Sequence, residues 1–230
     1  MIDAKLTEFL CPFCKGDNKE ILYQYKTYAG KVLGNTQVTL VMCSSCSFVY
    51  NSPRPSHLAI NKHYQEASSG AVYREVYAGS RSSTLDLERS AFIERHTSSL
   101  EKGRFIDIGC GQGSLLKKLI MPQLKKFGLD PIQNTSKNLD DSVVFINGYI
   151  ESYKAPIDEK FEVVSCISSL EHYYHPEIVL EKFNNLLVMN GILILEVPDT
   201  LKPKGQLAEF FSFEHLSHFT EKSLTRMFNL

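Results

Sequence analysis

Neither sign of charge dominates this chain: 25 lysines and arginines stand against 26 aspartates and glutamates over 230 residues, a formal net charge of −1. Without a global positive field nothing holds a phosphate backbone, and no acidic tail stands out, so nucleic acid is not an expected partner. Long hydrophobic runs are missing as well. Stretches such as Gly191-Ile192-Leu193-Ile194-Leu195 fall far short of the roughly 20 residues a membrane helix needs, and Met1-Ile2-Asp3-Ala4-Lys5 opens no signal-peptide pattern. Internal repeats and low-complexity tracts are absent too. The expectation is a cytoplasmic globular protein with no membrane partner. Its 26.1 kDa and 43% hydrophobic residues suffice for a real core in one large domain or a domain and a half.

Six cysteines in a reducing compartment are read for metal before disulfides. Four of them form two short pairs, Cys11-Pro12-Phe13-Cys14 and Cys43-Ser44-Ser45-Cys46. A two-residue gap lets both thiolates of a pair point at one ion from a tight turn, and four thiolates complete a closed tetrahedron. The spacing therefore predicts a structural Zn2+ ribbon with ligands Cys11, Cys14, Cys43 and Cys46, built on two intervening strands. Two other readings stay open: free or core cysteines, and a redox dithiol, although the latter usually needs one pair beside a βαβ unit that is absent here. Either would leave a very small segment without a staple. Residues 1–50 carry five lysines, no arginine and four acids, which is not the basic face of a nucleic-acid-reading zinc module. The ribbon is expected to build or cover a site. Cys110 and Cys166 read as small apolar fillers.

Beyond the second pair, Phe48-Val49-Tyr50-Asn51-Ser52-Pro53-Arg54-Pro55 has two prolines and a serine that interrupt any strand, predicting a linker or rim. Residues 56 to about 100 are polar and mostly helical in pattern, and include Tyr64, Tyr73 and Tyr77. From Lys102 strands and helices alternate. Residues 104–108 read as a buried strand, 114–120 as a helix stopped by Pro122, and 124–129, 142–146, 161–167 and 191–197 as further strands. A helix is predicted from Pro176 to about Met189, with Ile178, Val179, Phe183, Leu186 and Leu187 on one face and Asn190-Gly191 at its end. Five strands with crossovers imply an α/β fold with a doubly wound, mostly parallel sheet.

Such sheets bind ligands beyond the carboxyl ends of their strands, where strand order reverses, which points to the first strand-to-helix loop. It reads Asp107-Ile108-Gly109-Cys110-Gly111-Gln112-Gly113. A dinucleotide fingerprint needs a third glycine three positions after the second, where this chain has Ser114, so the loop departs from the NAD type. A ligand without a pyrophosphate needs space and a carboxylate, and Asp107 suits a cationic amino acid portion. At the end of the second strand, Phe127-Gly128-Leu129-Asp130 places an acid where a ribose diol is held.

On these motifs the segment from Arg104 to Asp199 resembles a class I S-adenosylmethionine-dependent methyltransferase. Ser169-Leu170-Glu171-His172 after the fourth strand, Leu186-Leu187-Val188-Met189-Asn190-Gly191 and the strand Leu193-Ile194-Leu195-Glu196-Val197-Pro198 add to the likeness. The resemblance implies a Rossmann-like fold and S-adenosylmethionine as cofactor. It implies that the loop with Asp107, Gly109, Cys110, Gly111 and Gly113 wraps the methionine portion and that Asp130 holds the ribose. The segment Gly148-Tyr149-Ile150-Glu151 would touch adenine through Ile150 and Glu151, with Tyr149 where the family often has aspartate. The whole layout, a four-cysteine ribbon, a Pro-Arg-Pro turn and this core, is similar to sugar methyltransferases that act on nucleotide-linked deoxysugars, commonly on carbon. Their Glu-His pair is matched in Phe213-Glu214-His215-Leu216-Ser217-His218-Phe219-Thr220. The resemblance thus makes Glu214, His215 and His172 candidates for catalysis, and Tyr64, Tyr73 or Tyr77 a candidate substrate-side phenol.

The chemistry is coherent. The sulfonium methyl is already activated, so the protein must align a nucleophile and remove a proton, and histidine titrates near neutrality. His215 would be the base, with Glu214 orienting or polarising it. The other reading has Glu214 capping a turn and His215 merely packing. Three segments follow: a zinc ribbon at 1–55, a helical linker or substrate-side segment at 56–100, and a methyltransferase domain at 101–230. This domain is expected to lack the final antiparallel hairpin, so that the chain is a shortened form or another chain completes the sheet edge. The expected partner is a small molecule, a nucleotide-sugar in kind. Competing classes are an RNA or protein methyltransferase that docks through the ribbon, and a silent binding module.

Overall fold

Alternating and continuous apolar runs become strands, and the 3.6-period runs become helices, much as their patterns require. The computed structural model describes residues 6–69, 80–131, 139, 141–156, 159–203 and 207–228. Along the chain lie β1 (Leu6–Thr7), β2 (Lys19–Tyr28), α1 (Gly30–Leu33), β3 (Asn35–Cys43), β4 (Val49–Asn51) and β5 (Arg54–Pro55). Helices α2 (His57–Ser69) and α3 (Ser80–Thr97) follow. Then come β6 (Gly103–Ile108), α4 (Ser114–Lys118), β7 (Leu124–Asp130), β8 (Val143–Asn147), β9 (Phe161–Ile167) and a 3-10 turn at Leu170–His172. The chain continues through α5 (Pro176–Leu186), β10 (Leu187–Glu196), α6 (Leu207–Phe210), β11 (Ser217–His218) and α7 (Glu221–Met227).

These elements form two compact units: Gln65–Ile167 with Glu181–Glu196, and Met1–Tyr64 with Ser168–Leu180 and Val197–Leu230. In the first, five strands pair in the order β10-β9-β6-β7-β8, every pairing parallel. This is the doubly wound α/β sheet expected from the sequence. Strands buried on both faces explain the continuous apolar runs. Phe105, Val163 and Ile194 pack with Ile93, Leu115, Leu116 and Leu119 in its core.

The helix read over 114–120 ends at Lys118, and a second boundary differs further. The helix read to Met189 ends at Leu186, and the strand read from Gly191 begins at Leu187. Leu187 pairs with Phe161, the register then shifts before Ile192, and Asn190 takes the left-handed conformation at φ 62°. Pairing with β9 outweighs the helical period over these residues, and asparagine is among the residues that tolerate this backbone region.

In the second unit β2, β3, β4 and β11 form an antiparallel sheet in the order β11-β4-β3-β2, and β1 pairs antiparallel with β5. The stretch read as a linker or rim is therefore hydrogen-bonded structure. Its prolines sit outside β4 and on the short edge strand β5, where a missing N–H is tolerated. Arg54 is 0% exposed, stacked between Phe9 (3.3 Å to the ring centroid) and Tyr174 (4.2 Å), with Nη2 donating to the Tyr174 carbonyl at 2.7 Å. Burial lowers its pKa to about 10. No described helix is long and apolar enough to cross a membrane.

Candidate active site

Strand order reverses at β6, so the loop after it opens at the switch point of the sheet. Gly109, Gly111 and Gly113 all have positive φ (73°, 54° and 72°), which explains the residue type at each turn of the loop. Gly109 donates its N–H to the Leu129 carbonyl at 2.8 Å, and Gly111 donates to Asp130 Oδ2 at 2.8 Å. The loop is thereby tied to the end of β7, and the Asp130 carboxylate is fixed in orientation. A side chain at Gly111 would begin in open space, with no atom within 4 Å, whereas one at Gly113 would strike Leu139.

Asp107, on β6, is buried and accepts from Ser165 Oγ at 2.6 Å. Burial pushes its carboxyl up to about 7, against the Ser165 hydrogen bond and with the Asp130 carboxylate adding to the rise. The loop after β8 is anchored by the Gly148 N–H on the Asp130 carbonyl at 3.1 Å. Beyond it Ile150 is buried, and Glu151 Oε2 is buried without a hydrogen-bond partner among the described residues. The open cradle over Gly111, the fixed Asp130 carboxylate and the orphaned Glu151 oxygen fit a ligand that brings hydroxyl and amino donors, as S-adenosylmethionine does.

In the other unit the four cysteines of the two pairs come together, their Sγ atoms all within 4.8 Å of one another. Cys11 and Cys46 are 3.5 Å apart, as are Cys14 and Cys43, far beyond a disulfide bond of about 2.05 Å. A tetrahedral Zn2+ with ligands at about 2.3 Å spaces sulfurs by about 3.8 Å, so the donor set fits that ion. Both turns are built alike. Cys11 N–H reaches the Gly16 carbonyl and Lys15 N–H the Cys11 carbonyl; Cys43 N–H reaches Phe48 and Ser47 N–H reaches Cys43, all at 2.9 Å. Lys15 and Ser47 are both left-handed, at φ 61° and 62°.

The same unit gathers six of the seven histidines, His96 alone lying in the other. His172 Nδ1 lies 2.9 Å from Tyr64 Oη and 3.1 Å from the Glu214 carbonyl, and His215 Nδ1 lies 2.7 Å from the Phe210 carbonyl. A carbonyl can only accept, so both Nδ1 atoms carry the proton and both Nε2 atoms keep a lone pair. Burial pushes His172 down to about 4, with His215 nearby adding to the fall, and burial also lowers His215. Glu214 Oε1 is 2.9 Å from His63 Nε2. Burial alone would raise the Glu214 carboxyl, but the His63 bond and the surrounding histidines hold it below its ordinary value. The cluster sets the His172 and His215 imidazoles, each with Nδ1 on a backbone carbonyl, beside the Glu214 carboxylate.

Residues 81–230 match the family described as methyltransferase domain. The chain belongs to that family. It is 24% identical over 120 residues to a ubiquinone biosynthesis O-methyltransferase of Histophilus somni, over 47% of this chain and 50% of that protein. To one of Chromobacterium violaceum it is 28% identical over 110 residues, 45% and 47% of the two chains. The chain spans about half the length of the curated relatives it matches. Among solved structures, YcgJ of Bacillus subtilis superimposes with a TM-score of 0.50 at 18% identity, over 62% of this chain and 66% of that one. The plantazolicin methyltransferase BpumL, solved with SAH and a monoazolic desmethylPZN analogue, gives 0.56 at 15% identity over 73% and 72%. These likenesses show the class I methyltransferase fold.

In this methyltransferase-family chain the cofactor candidates Asp107, Gly109, Cys110, Gly111, Gly113 and Asp130 are brought together by β6, its loop and β7. Glu214, His215 and His172 are likewise brought together. Tyr64 joins them, while Tyr73 and Tyr77 lie outside the described residues. Cys110 and Cys166 are buried. Sequence reasoning missed His63 and Glu171. His63 precedes Tyr64 on α2, and Glu171, 2% exposed, precedes His172, but neither spacing signals its partner. It also missed the Arg89 guanidinium bridging Glu196 and Asp86, with Ser114 Oγ donating to Asp86.

Proposed function

We propose that this chain transfers the methyl group of S-adenosylmethionine to a small-molecule acceptor, a nucleotide-linked sugar in kind, with a histidine general base and a structural Zn2+ on Cys11, Cys14, Cys43 and Cys46. The observation that carries the reading is the Gly111 N–H on Asp130 Oδ2 at the switch point, below open space. When bound, the cofactor supplies a sulfonium-activated methyl group. The protein's own work is alignment and proton removal. Asp130 accepts the ribose hydroxyls, Ile150 and Glu151 line adenine, and Asp107 beneath the loop balances the cationic amino acid portion. His215 Nε2 takes the proton from the acceptor oxygen, or from carbon beside a keto group. Glu214 orients or polarises, and His172 shares the base cluster. In this reading the ribbon at 1–55 and the segment at 56–100 contribute substrate-side surface in a cytoplasmic enzyme.

The likeness to ubiquinone biosynthesis O-methyltransferases favours a second reading, methylation of a hydroxyl on an acceptor of the ubiquinone-biosynthesis kind. The first test is calorimetric titration of the zinc-loaded chain with S-adenosylhomocysteine, beside NAD and beside Asp130→Ala. Binding of S-adenosylhomocysteine alone, at least about tenfold weaker in the variant, is the expected result, since each lost charged hydrogen bond is worth about 1.5–3 kcal/mol. No binding to folded protein overturns the reading. Labelled methyl transfer to nucleotide-sugars against hydroxylated quinone precursors then separates the two acceptors.

A further inference from the structure

We propose that Glu171, His172 and His215 form a second metal site, taking one divalent first-row transition-metal ion with chemistry unlike that of the four thiolates. One ligand atom from each of the three residues lies within 4.8 Å of the others. His172 Nε2 is 3.9 Å from Glu171 Oε1, and the two imidazole rings stand 4.8 Å apart at 77°. Ligands about 2.1 Å from one ion sit roughly 3.0–3.4 Å from each other, so small side-chain rotations close the set.

The groups behind the ligands are those a metal site needs. Metal-bound histidines almost always donate their second ring N–H to a carbonyl or carboxylate, which fixes the ring and the tautomer. His172 and His215 both do so here, toward the carbonyls of Glu214 and Phe210. Their backbone is held too. The Leu216 N–H bonds to the Glu171 carbonyl at 2.8 Å, and Asn51 Nδ2 donates to the His215 carbonyl at 2.8 Å. Two imidazoles and one carboxylate suit Zn2+, Co2+, Ni2+ or Fe2+ rather than Mg2+ or Ca2+. Three protein ligands leave a position open for water or a substrate oxygen, whereas the four-cysteine set is closed.

The inference goes beyond the methyl-transfer reading and stands without it. An ion on Nε2 occupies the lone pair that a general base uses, so the metal-loaded and base-competent forms of the cluster exclude each other.

The test is a Co2+ titration of the full chain with its four-thiolate site already filled by Zn2+. The expected result is one further equivalent per chain, with weak visible d–d bands and no thiolate-to-cobalt charge-transfer band. Glu171→Gln and His215→Asn should each weaken this equivalent by at least about tenfold, the lower end of what loss of even an outer-shell partner does. Retained zinc content and an unchanged far-ultraviolet spectrum show that the variants are folded. Absence of a second equivalent, or one that survives both substitutions, overturns the proposal. Loss of methyl transfer with this equivalent bound follows from that exclusion, whereas failure of methyl transfer by the chain without it counts only against the catalytic reading.

Discussion

His63 Nε2 stands 2.9 Å from Glu214 Oε1, across 151 residues of sequence. Both side chains are mostly buried, and the His63 ring also packs edge-on against Phe213 at 5.0 Å. A carboxylate in such surroundings remains ionised only because its partners hold it so.

That dependence gives a pH signature. The Glu214 carboxyl is lowered below its ordinary 4.5, so its contribution to stability is present above that value and is lost as pH falls through the folded value. His63→Phe keeps the ring and removes the bond. It should cost about 1–3 kcal/mol near neutrality and move the acid limb of the stability profile to higher pH, read from urea unfolding between about pH 3 and 7. A variant profile superimposable on the parent would mean that the pair does not hold Glu214.

Asp107 has the opposite sign. Its carboxyl is raised from 3.8 to about 7 by burial, so the folded chain holds a proton that the unfolded chain has already released. Its contribution to stability is full below about 4 and fades as pH rises toward 7. Denaturation midpoints of the unliganded chain should therefore fall over this interval, and Asp107→Asn should flatten the slope. In the proposed function a cationic ligand favours the ionised form, so S-adenosylmethionine affinity should rise with pH and level off above about 7. The asparagine variant should show no such rise. An unchanged slope in the variant would assign the titration elsewhere.

Removal of the metal proposed at the four cysteines should be felt far along the chain. Tyr50 on β4 pairs with Ser217 on β11, the Asn51 N–H bonds to the Leu216 carbonyl, and the Arg226 guanidinium reaches the Cys46 carbonyl at 3.4 Å. Chelation should speed hydrogen exchange at Asn51 and at residues 216–219 by at least about tenfold, while β6 and β7 of the other unit stay protected. Equal loss of protection in both units would show instead that the chain unfolds as one.

Local chemistry explains what could be read without coordinates. The cysteine pairs are legible because two ligands must come from one turn, and the glycine loop because three residues at positive φ leave little choice of side chain. The parallel strands are legible because burial on both faces demands continuous apolar runs. The end of α5 was not. Residues 187–190 carry a helical period, and only the neighbouring β9, on which Leu187 pairs with Phe161, ends the helix before them. Arg54 between prolines looked like a rim residue, and its place between Phe9 and Tyr174 depends on rings 45 positions before it and 120 after it.

The sequence by itself determined the parallel α/β sheet, the carboxylates and glycines of the proposed cofactor cradle and the two thiol pairs, since each depends on short-range spacing or backbone conformation. Only the tertiary structure decided that Val197–Leu230 joins the cysteine-bearing residues in one compact unit, and that His63, Tyr64, Glu171, His172, Glu214 and His215 meet there. The reason is physical: those side chains come from a helix, a 3-10 turn and a late loop, and their contacts are set by packing across 42 to 151 residues, which no local period records.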